Sequence, residues 1–342
     1  MRACVITAHG GLEVFKYTNV PDPTIGPSEV LARVEACALN HLDIWVRQGG
    51  RGPSLPMPHI LGNDVCGVVE DIGSDVVGLE RGQRVILSAG VSCKKCPACL
   101  RGDDSQCAEF TIRGLKIPGG YAELTKAHAA DVYPVSDLLS PQEWAAMPLT
   151  FVTAWRMLVG RGQVKPGDTV LVHAAGSGVG VAAIQIAKLF GATVMATAGS
   201  DAKCRKAIEI GADAAVNYNK RSFADDALQM TGGRGVDLVI DNVGQAVWED
   251  SLRALAVGGR LVFCGVTSGA SASLDMAQLY RRQLTVMGSF MGGRHELLAA
   301  LREMERGRLR PIVDKTFPLR QAAAAHQRML DRKNFGKIML VP

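Results

Sequence analysis

Two stretches of this chain carry residue types at spacings that can do chemistry. The first is Cys93, Cys96, Cys99 and Cys107, in the pattern C-x2-C-x2-C-x7-C. Four thiolates held this close can surround one Zn2+ tetrahedrally, at about 2.3 Å each. Such a site is full, with no open position for water or substrate. One structural Zn2+ per chain would clip a loop, residues 93–107, that lacks a core of its own. Nine cysteines cannot all pair as disulfides, and in a reducing compartment a cluster of this kind points to metal. The others, Cys4, Cys37, Cys66, Cys204 and Cys264, are scattered and read as buried spectators.

The second stretch runs from Thr169 to Val181. Thr169-Val170-Leu171-Val172 reads as a buried strand and His173 to Gly180 as a glycine-rich turn. Val181 to Phe190 reads as a helix stopped at Gly191. A strand, a tight glycine turn and a helix make a phosphate site. The helix start offers unpaired N–H groups and partial positive charge, and missing side chains let a pyrophosphate approach the backbone. Ser177, Gly178, Val179 and Gly180 are therefore the expected dinucleotide cradle.

These stretches need elements to hold them. Up to residue 150, short strands and turns dominate. Val30, Ala32, Val34 and Ala36 alternate with Leu31, Arg33 and Glu35, while residues 60–72 and 83–87 read as further strands. Strands this short and closely spaced suggest a small barrel or sandwich, and no helical period is sustained before about residue 141. Past the glycine turn, strand and helix alternate. Strands are expected at 193–197, around Val216, and at 236–240, 261–263 and 284–287. Helices are expected at 201–210, with Ser200 as N-cap and Gly211 as stop, and at 247–256. Repeated βα units predict an α/β, doubly wound parallel sheet with ligands at the carboxyl ends of its strands. Residues 151–289 form this cofactor domain. Residues 1–150 and 290–342 form the other, to which a helix at 296–305 and the final stretch 336–341 return.

The second strand bears on the cofactor. An NAD site usually places Asp or Glu at its end, to bond the ribose hydroxyls. Here that place reads Thr197-Ala198-Gly199-Ser200, and Asp201 already opens the next helix. Lys203 and Tyr218 can contact a 2′-phosphate instead, and Ser200 can bond it. The expectation is NADP(H), with NAD(H) as the alternative.

Composition excludes several classes. With 47% hydrophobic and 21% charged residues the chain has the balance of a soluble globular protein. A net charge of +5 without a basic run does not suggest nucleic acid, and no run of 18 apolar residues suggests a membrane span. The first residues lack a secretory leader pattern, so a cytoplasmic location is expected.

On these residues the chain resembles the medium-chain dehydrogenase/reductases, the superfamily of the zinc alcohol dehydrogenases. The resemblance spans nearly the whole length. It includes Gly62-Asn63-Asp64 followed by Gly67, the four-cysteine lobe, Gly119-Gly120-Tyr121-Ala122-Glu123, the turn Ala175–Gly180 and the terminal Gly336-Lys337. Ala38-Leu39-Asn40-His41-Leu42-Asp43 and Thr197-Ala198-Gly199-Ser200 are most similar to the quinone oxidoreductase-like branch. The resemblance implies a GroES-like β-barrel catalytic domain beside a Rossmann domain. It also implies cofactor contacts from His41, Thr153, Val243, Gly265, Val266 and Asn334, and a homodimer or homotetramer.

The departures from the family carry the functional reading. Zinc alcohol dehydrogenases hold a catalytic ion with a Cys, the His of a Gly-His-Glu motif and a second Cys. By resemblance those positions are Asn40, Asn63 and Leu149, and the Glu beside the His is Asp64. Amide and leucine side chains are poor zinc ligands. Ser177 also stands where many relatives have glycine. Without a Lewis acid, alcohol oxidation is harder, whereas a quinone or an α,β-unsaturated carbonyl takes hydride at an electron-poor carbon while charge develops on a distant oxygen. Asn40 and Asn63 each offer an amide donor to that oxygen, or else satisfy neighbouring backbone groups. Trp45 is expected to wall the substrate pocket. Two alternatives stand beside this reading. One is an alcohol dehydrogenase with a metal site rearranged onto His41, Asp43, His59 or Asp64. The other is a nucleotide-binding interaction protein without turnover.

Overall fold

The computed structural model describes residues 1–50 and 55–342. Two compact units emerge, residues 1–149 with 293–342, and residues 150–292.

The first unit opens with an antiparallel pair, β1 (Arg2–Ile6) and β2 (Phe15–Asn19). It continues through β3 (Glu29–Ala38), β4 (His59–Ile60), β5 (Asp64–Ile72), β6 (Arg84–Leu87), the short pair β7 (Gly90–Val91) and β8 (Thr111–Ile112), β9 (Leu124–His128) and β10 (Val132–Pro134). The alternation expected from Val30 to Ala36 is real: Val30, Ala32, Val34 and Ala36 are buried in β3. β3 is the hub of a curled sheet, paired antiparallel with β5 along one side and with β9 and the C-terminal strand along the other. This is the GroES-like barrel. Its core is built from Val30, Val34, Val65, Val85, Leu87 and Leu340.

Two elements of this unit depart from the expectation. The stretch read as strand over 60–72 is broken at 61–63, where Gly62 sits at φ +103°, into β4 and β5. Residues His41–Gln48 form a helix, well before residue 141. Gly49 ends it in the left-handed region, φ +78°, a conformation that glycine adopts without a Cβ penalty. The apolar stripe is hard to see because the buried face includes Asp43 and Arg47 along with Ile44 and Val46. Eight residues also give barely two turns over which a period can be read.

The second unit alternates strand and helix. Its strands are β11 (Thr169–Val172), β12 (Thr193–Ala198), β13 (Ala214–Asn217), β14 (Val236–Asp241), β15 (Leu255–Phe263) and β16 (Thr285–Gly288). All pairings are parallel, in the order β13-β12-β11-β14-β15-β16. Counted from β11 this is 3-2-1-4-5-6, the doubly wound Rossmann order. β11 is buried at every position, as befits a central strand covered on both faces. β16 is an edge. Two boundaries shift by more than a residue or so. The helix read as starting at Val181 begins at Gly178, because Ser177 caps it. The helix read to Ala256 stops at Ala254, and β15 begins at Leu255, six residues earlier than expected. Gly258, at φ +78°, and a register shift against β14 hide the early half of that strand from periodicity.

The chain returns to the first unit through the helix Arg294–Glu305, β17 (Val313–Pro318), the helix Ala322–Leu330 and β18 (Lys337–Val341). β18 pairs with β3 and β17. Among the described residues no helix is long and apolar enough to cross a membrane.

Candidate functional site

In the second unit the glycine turn does what its residue types suggest. Gly180 lies in the first turn of the helix Gly178–Leu189, and a Cβ there would sit 2.3 Å from the Ala174 carbonyl oxygen. Only glycine lets the helix start press against the strand end. Ser177 Oγ accepts the Gly180 N–H at 2.9 Å and the Asn242 Nδ2 donor at 2.8 Å. Both of its lone pairs are then used, and its own proton is left to donate outward. The Gly178 and Val179 N–H groups find no acceptor among the described residues. They are the ones a pyrophosphate would use.

The ends of the neighbouring strands complete the rim. Asp241 accepts the Val243 N–H at 2.7 Å and the Gly244 N–H at 3.1 Å, which fixes the Val243 turn. Burial pushes the Asp241 carboxyl up to about 6. Gly265 lies against this turn, where a Cβ would be 2.7 Å from the Asn242 oxygen, and Val266 follows it. Thr153 is buried, its hydroxyl donating to Met291 Sδ at 3.8 Å. Beneath the rim His173 is fully buried between Thr197 Oγ1 at 3.0 Å and Ser251 Oγ at 2.8 Å, and burial pushes its pKa down to about 3. It is a neutral strut of the sheet.

At the end of β12, Ser200 Oγ caps the helix Asp201–Glu209 by accepting the Lys203 N–H. The Tyr218 hydroxyl lies over Gly199, 2.7 Å from where a Cβ would be. Ser200, the backbone of Lys203 and the Tyr218 hydroxyl thus lie at the same strand end. The nearest acid, Asp201, is engaged elsewhere: Asn217 donates to one oxygen at 2.6 Å and Lys220 to the other at 2.5 Å. Those bonds hold its carboxyl below the usual range.

In the first unit, Asn40, Asp64 and Lys337 form a closed triangle. Asn40 Nδ2 donates to Asp64 Oδ2 at 2.8 Å, and Lys337 Nζ donates to Asn40 Oδ1 at 2.6 Å and to Asp64 Oδ2 at 2.9 Å. Asp64 Oδ1 takes the Leu149 N–H at 2.7 Å. All three side chains are buried. Gly62, at φ +103°, turns Asn63 inward, where its amide donates to the Arg113 carbonyl at 2.5 Å. Asn63 is fully buried and its amide serves a backbone carbonyl, the second of the two roles expected of it. Asp43 accepts the N–H groups of Asn40 at 2.7 Å and Gly62 at 3.0 Å, and burial pushes it up to about 7. His59 Nε2 is spent on the Gly114 carbonyl at 3.0 Å. Half-buried Trp45 and His41 pack edge to face, centroids 4.9 Å apart. Asn334, the asparagine expected at the cofactor, donates to the Gly336 carbonyl at 3.0 Å and so braces its own turn.

Lys337 and Asn242 escaped the sequence reading as site residues. A lysine opening an apolar strand looks like a solvated strand end, and only the preceding Gly336 hints that the backbone turns sharply there.

The cysteine lobe of the same unit gathers four thiols. Their Sγ atoms lie within 4.8 Å of one another, with edges of 3.9 Å for Cys93–Cys99 and 3.5 Å for Cys96–Cys99. These lengths bracket the roughly 3.8 Å edge of a tetrahedron with 2.3 Å arms, and far exceed the ~2.05 Å of a disulfide. N–H groups of Lys95 and Cys96 bring the Cys93 thiol down to about 7. Asp104 moors the lobe through Ser92 Oγ at 2.7 Å and the Arg294 N–H at 2.8 Å, and Lys94 pairs with Asp131.

Comparison with known proteins agrees with this architecture. Residues 26–137 match the family model of the alcohol dehydrogenase GroES-like domain, and residues 178–306 that of the zinc-binding dehydrogenases. Quinone oxidoreductase-like protein 2 of Rattus norvegicus is 33% identical over 326 residues, covering 92% of this chain and 85% of that protein. Quinone oxidoreductase of Homo sapiens is 28% identical over 349 residues, covering 100% and 98%. A crystal structure of an NAD-dependent alcohol dehydrogenase is 46% identical, covers all of both chains and superposes with a TM-score of 0.97. A barrel and a Rossmann unit joined in this order, with relatives that match from end to end, make the chain an enzyme of the medium-chain dehydrogenase/reductase superfamily.

Proposed function

We propose that this enzyme is an NADP(H)-dependent oxidoreductase that delivers hydride to a quinone or an α,β-unsaturated carbonyl without a catalytic metal. The observation that carries the reading is the closed triangle of Asn40, Asp64 and Lys337. Where the family resemblance puts metal ligands, this chain has amides and a leucine, and the Asp64 carboxylate beside them is engaged by Leu149 N–H, Asn40 and Lys337. The rearranged site fares no better, since Asp43 and His59 are also committed to backbone groups. NADPH, when bound, supplies the hydride. The chain's part is to seat its pyrophosphate on Gly178, Val179 and Ser177, to hold the Val243 and Gly265 rim beside it, and to offer a donor to the substrate oxygen. With Asn63 turned away, Asn40 is that donor. One Zn2+ per chain on Cys93, Cys96, Cys99 and Cys107 would cross-link the lobe and take no part in the reaction.

The 46% identical alcohol dehydrogenase, described as NAD-dependent, sets the competing reading of NAD(H) and an alcohol. The corner of Ser200, Lys203 and Tyr218, with Asp201 engaged by Asn217 and Lys220, favours a 2′-phosphate over a bare ribose. A lysine–phosphate pair is worth roughly 1.5–3 kcal/mol. Lys203→Ala should therefore weaken NADPH about tenfold to a hundredfold and leave NADH nearly unchanged. Equal losses for both cofactors would favour NAD(H). Turnover across quinones, enones and alcohols with each cofactor tests the reaction. Consumption of NADPH with quinones or enones is expected, and turnover confined to alcohols would refute it. Absence of all turnover would favour the interaction protein. The exposed edge β16 supports a homodimer or a dimer of dimers, and a 36.4 kDa monomer in light scattering would rule that out. Nine unpaired cysteines support a reducing, cytoplasmic setting.

A further inference from the structure

We propose that Lys337 is a positioning residue whose ammonium polarises the Asn40 amide, so that the amide's second N–H is the donor to the oxygen that gains charge during reduction. The inference rests on the reaction proposed above.

Asn40 breaks a local rule. It stands at the N-cap of the helix His41–Gln48, where an asparagine ordinarily turns its side-chain oxygen back onto a helix N–H. Here that oxygen accepts from Lys337 Nζ at 2.6 Å. The capping task is shared out differently, with Asp43 taking the Asn40 N–H at 2.7 Å. A capping asparagine whose oxygen goes to a lysine and whose nitrogen goes to a carboxylate is the kind of local inconsistency found at functional sites.

The lysine is costly where it is. Its side chain is 5% exposed and that of Asp64 0%. Taking two charges out of water is unfavourable for each ion, and apolar pairs of similar volume usually do as well for stability. The same unit shows the cheaper solution: buried Asp43 takes hydrogen bonds from two backbone N–H groups, and Lys337 acts on it only through space. A cation on an amide oxygen draws electron density from the nitrogen and strengthens its N–H groups as donors, more so in a low-dielectric interior. Asn40 Nδ2 carries two protons. Asp64 takes one at 2.8 Å and in doing so fixes the plane of the amide. The other remains to donate.

In the reaction, hydride adds to the electron-poor carbon and the π pair moves onto oxygen. The Asn40 N–H binds that oxygen without giving up its proton. The enolate or hydroquinone anion is then protonated by water. Lys337 neither touches the substrate nor loses a proton.

Two variants test the proposal. The double variant Lys337→Met, Asp64→Asn removes both charges and leaves neither buried alone. Lys337→Gln keeps a neutral donor beside Asn40 Oδ1. Each is compared with wild type in kcat and KM for an electrophile that wild type reduces, and in NADPH affinity. Each is also tested for binding of a series of substituted phenolates, as oxyanion mimics, to the NADP+ complex. Both variants are expected to bind NADPH as wild type does, with KM little changed. kcat should fall about tenfold, less than the roughly 10²–10³ that follows loss of a whole oxyanion donor. Phenolate affinity should also depend less steeply on phenol pKa. A folded variant with wild-type kcat and wild-type slope would make the pair purely structural and overturn the proposal. If wild type reduces no quinone or enone, the reaction reading has failed and the phenolate slope alone decides: a slope lost in the variants sustains the polarised amide, and an unchanged slope or no phenolate binding overturns it.

Discussion

Two places in the barrel unit differ in the donors they offer: the cysteine lobe, and the region of Asn40 where the family resemblance puts a catalytic zinc. The lobe at 93–107 keeps four thiols with edges of 3.5 and 3.9 Å and has little apolar packing of its own: Leu100 is 76% exposed, and of its cysteines only Cys107 is buried. The triangle of Asn40, Asp64 and Lys337 has no such donors and satisfies itself. The difference teaches what each place needs. A loop without a core requires a cross-link, whereas a site already enclosed by β3, β5 and β18 can hold a fixed internal charge pair in its place.

The contrast breaks most visibly at the lobe. Cys96→Ser should abolish stoichiometric zinc binding and let residues 93–107 come loose. Metal analysis and proteolysis of the variant would show this, with cofactor binding retained. Loss of NADPH binding in a variant that stays folded would count against a purely structural lobe.

Breaking the triangle should cost stability differently. Lys337→Met alone leaves the Asp64 carboxylate buried without its cation, at about 3–5 kcal/mol. Denaturant titration should show that loss, and Asp64→Asn in the same chain should return much of it. If the second change returns nothing, the two charges are not coupled.

Acid gives the smallest and most evenly spread effect. His173 in the Rossmann unit and His326 in the barrel unit are both pushed down to about 3 by burial. The unfolded chain binds protons at these histidines below about 6.5, while the folded chain does not until about 3. The histidines' contribution is therefore full above pH 6.5 and is lost as pH drops toward 3, by about 1.4 kcal/mol per pH unit for each histidine. Buried Asp43 and Asp241, pushed up to about 7 and about 6, act in the opposite direction by taking up protons in the folded chain first. The histidine part is therefore read by difference: the change in denaturation midpoint between about pH 7 and about pH 5 should differ between wild type and His326→Gln, and an identical change would show that His326 is not held neutral.

The parts of this molecule legible in its sequence are those where one residue type has one physical use. Glycines between a strand and a helix, cysteines at short spacing and apolar runs at 170–172 and 194–196 each point one way, and the parallel sheet follows from them. The helix His41–Gln48 is illegible because its buried face carries Asp43 and Arg47, so no apolar stripe stands out. The orientation of an amide is illegible in principle. Asn40 and Asn63 look alike in sequence, yet one is fixed by Lys337, at the far end of the chain, and the other by the Arg113 carbonyl. The partner, not the residue type, decides the role, and partners of that kind are set by the pairing of β18 with β3.

The most direct test counts metal against turnover. Purified enzyme is assayed for zinc per chain and for NADPH-dependent reduction of a quinone or enone, and both measurements are repeated on Cys96→Ser. One zinc per chain in wild type, none in the variant, and reduction persisting in the folded variant is the expected result. Two zinc ions per chain, or reduction that disappears in step with the metal while NADPH still binds, would contradict a reaction run without a catalytic metal.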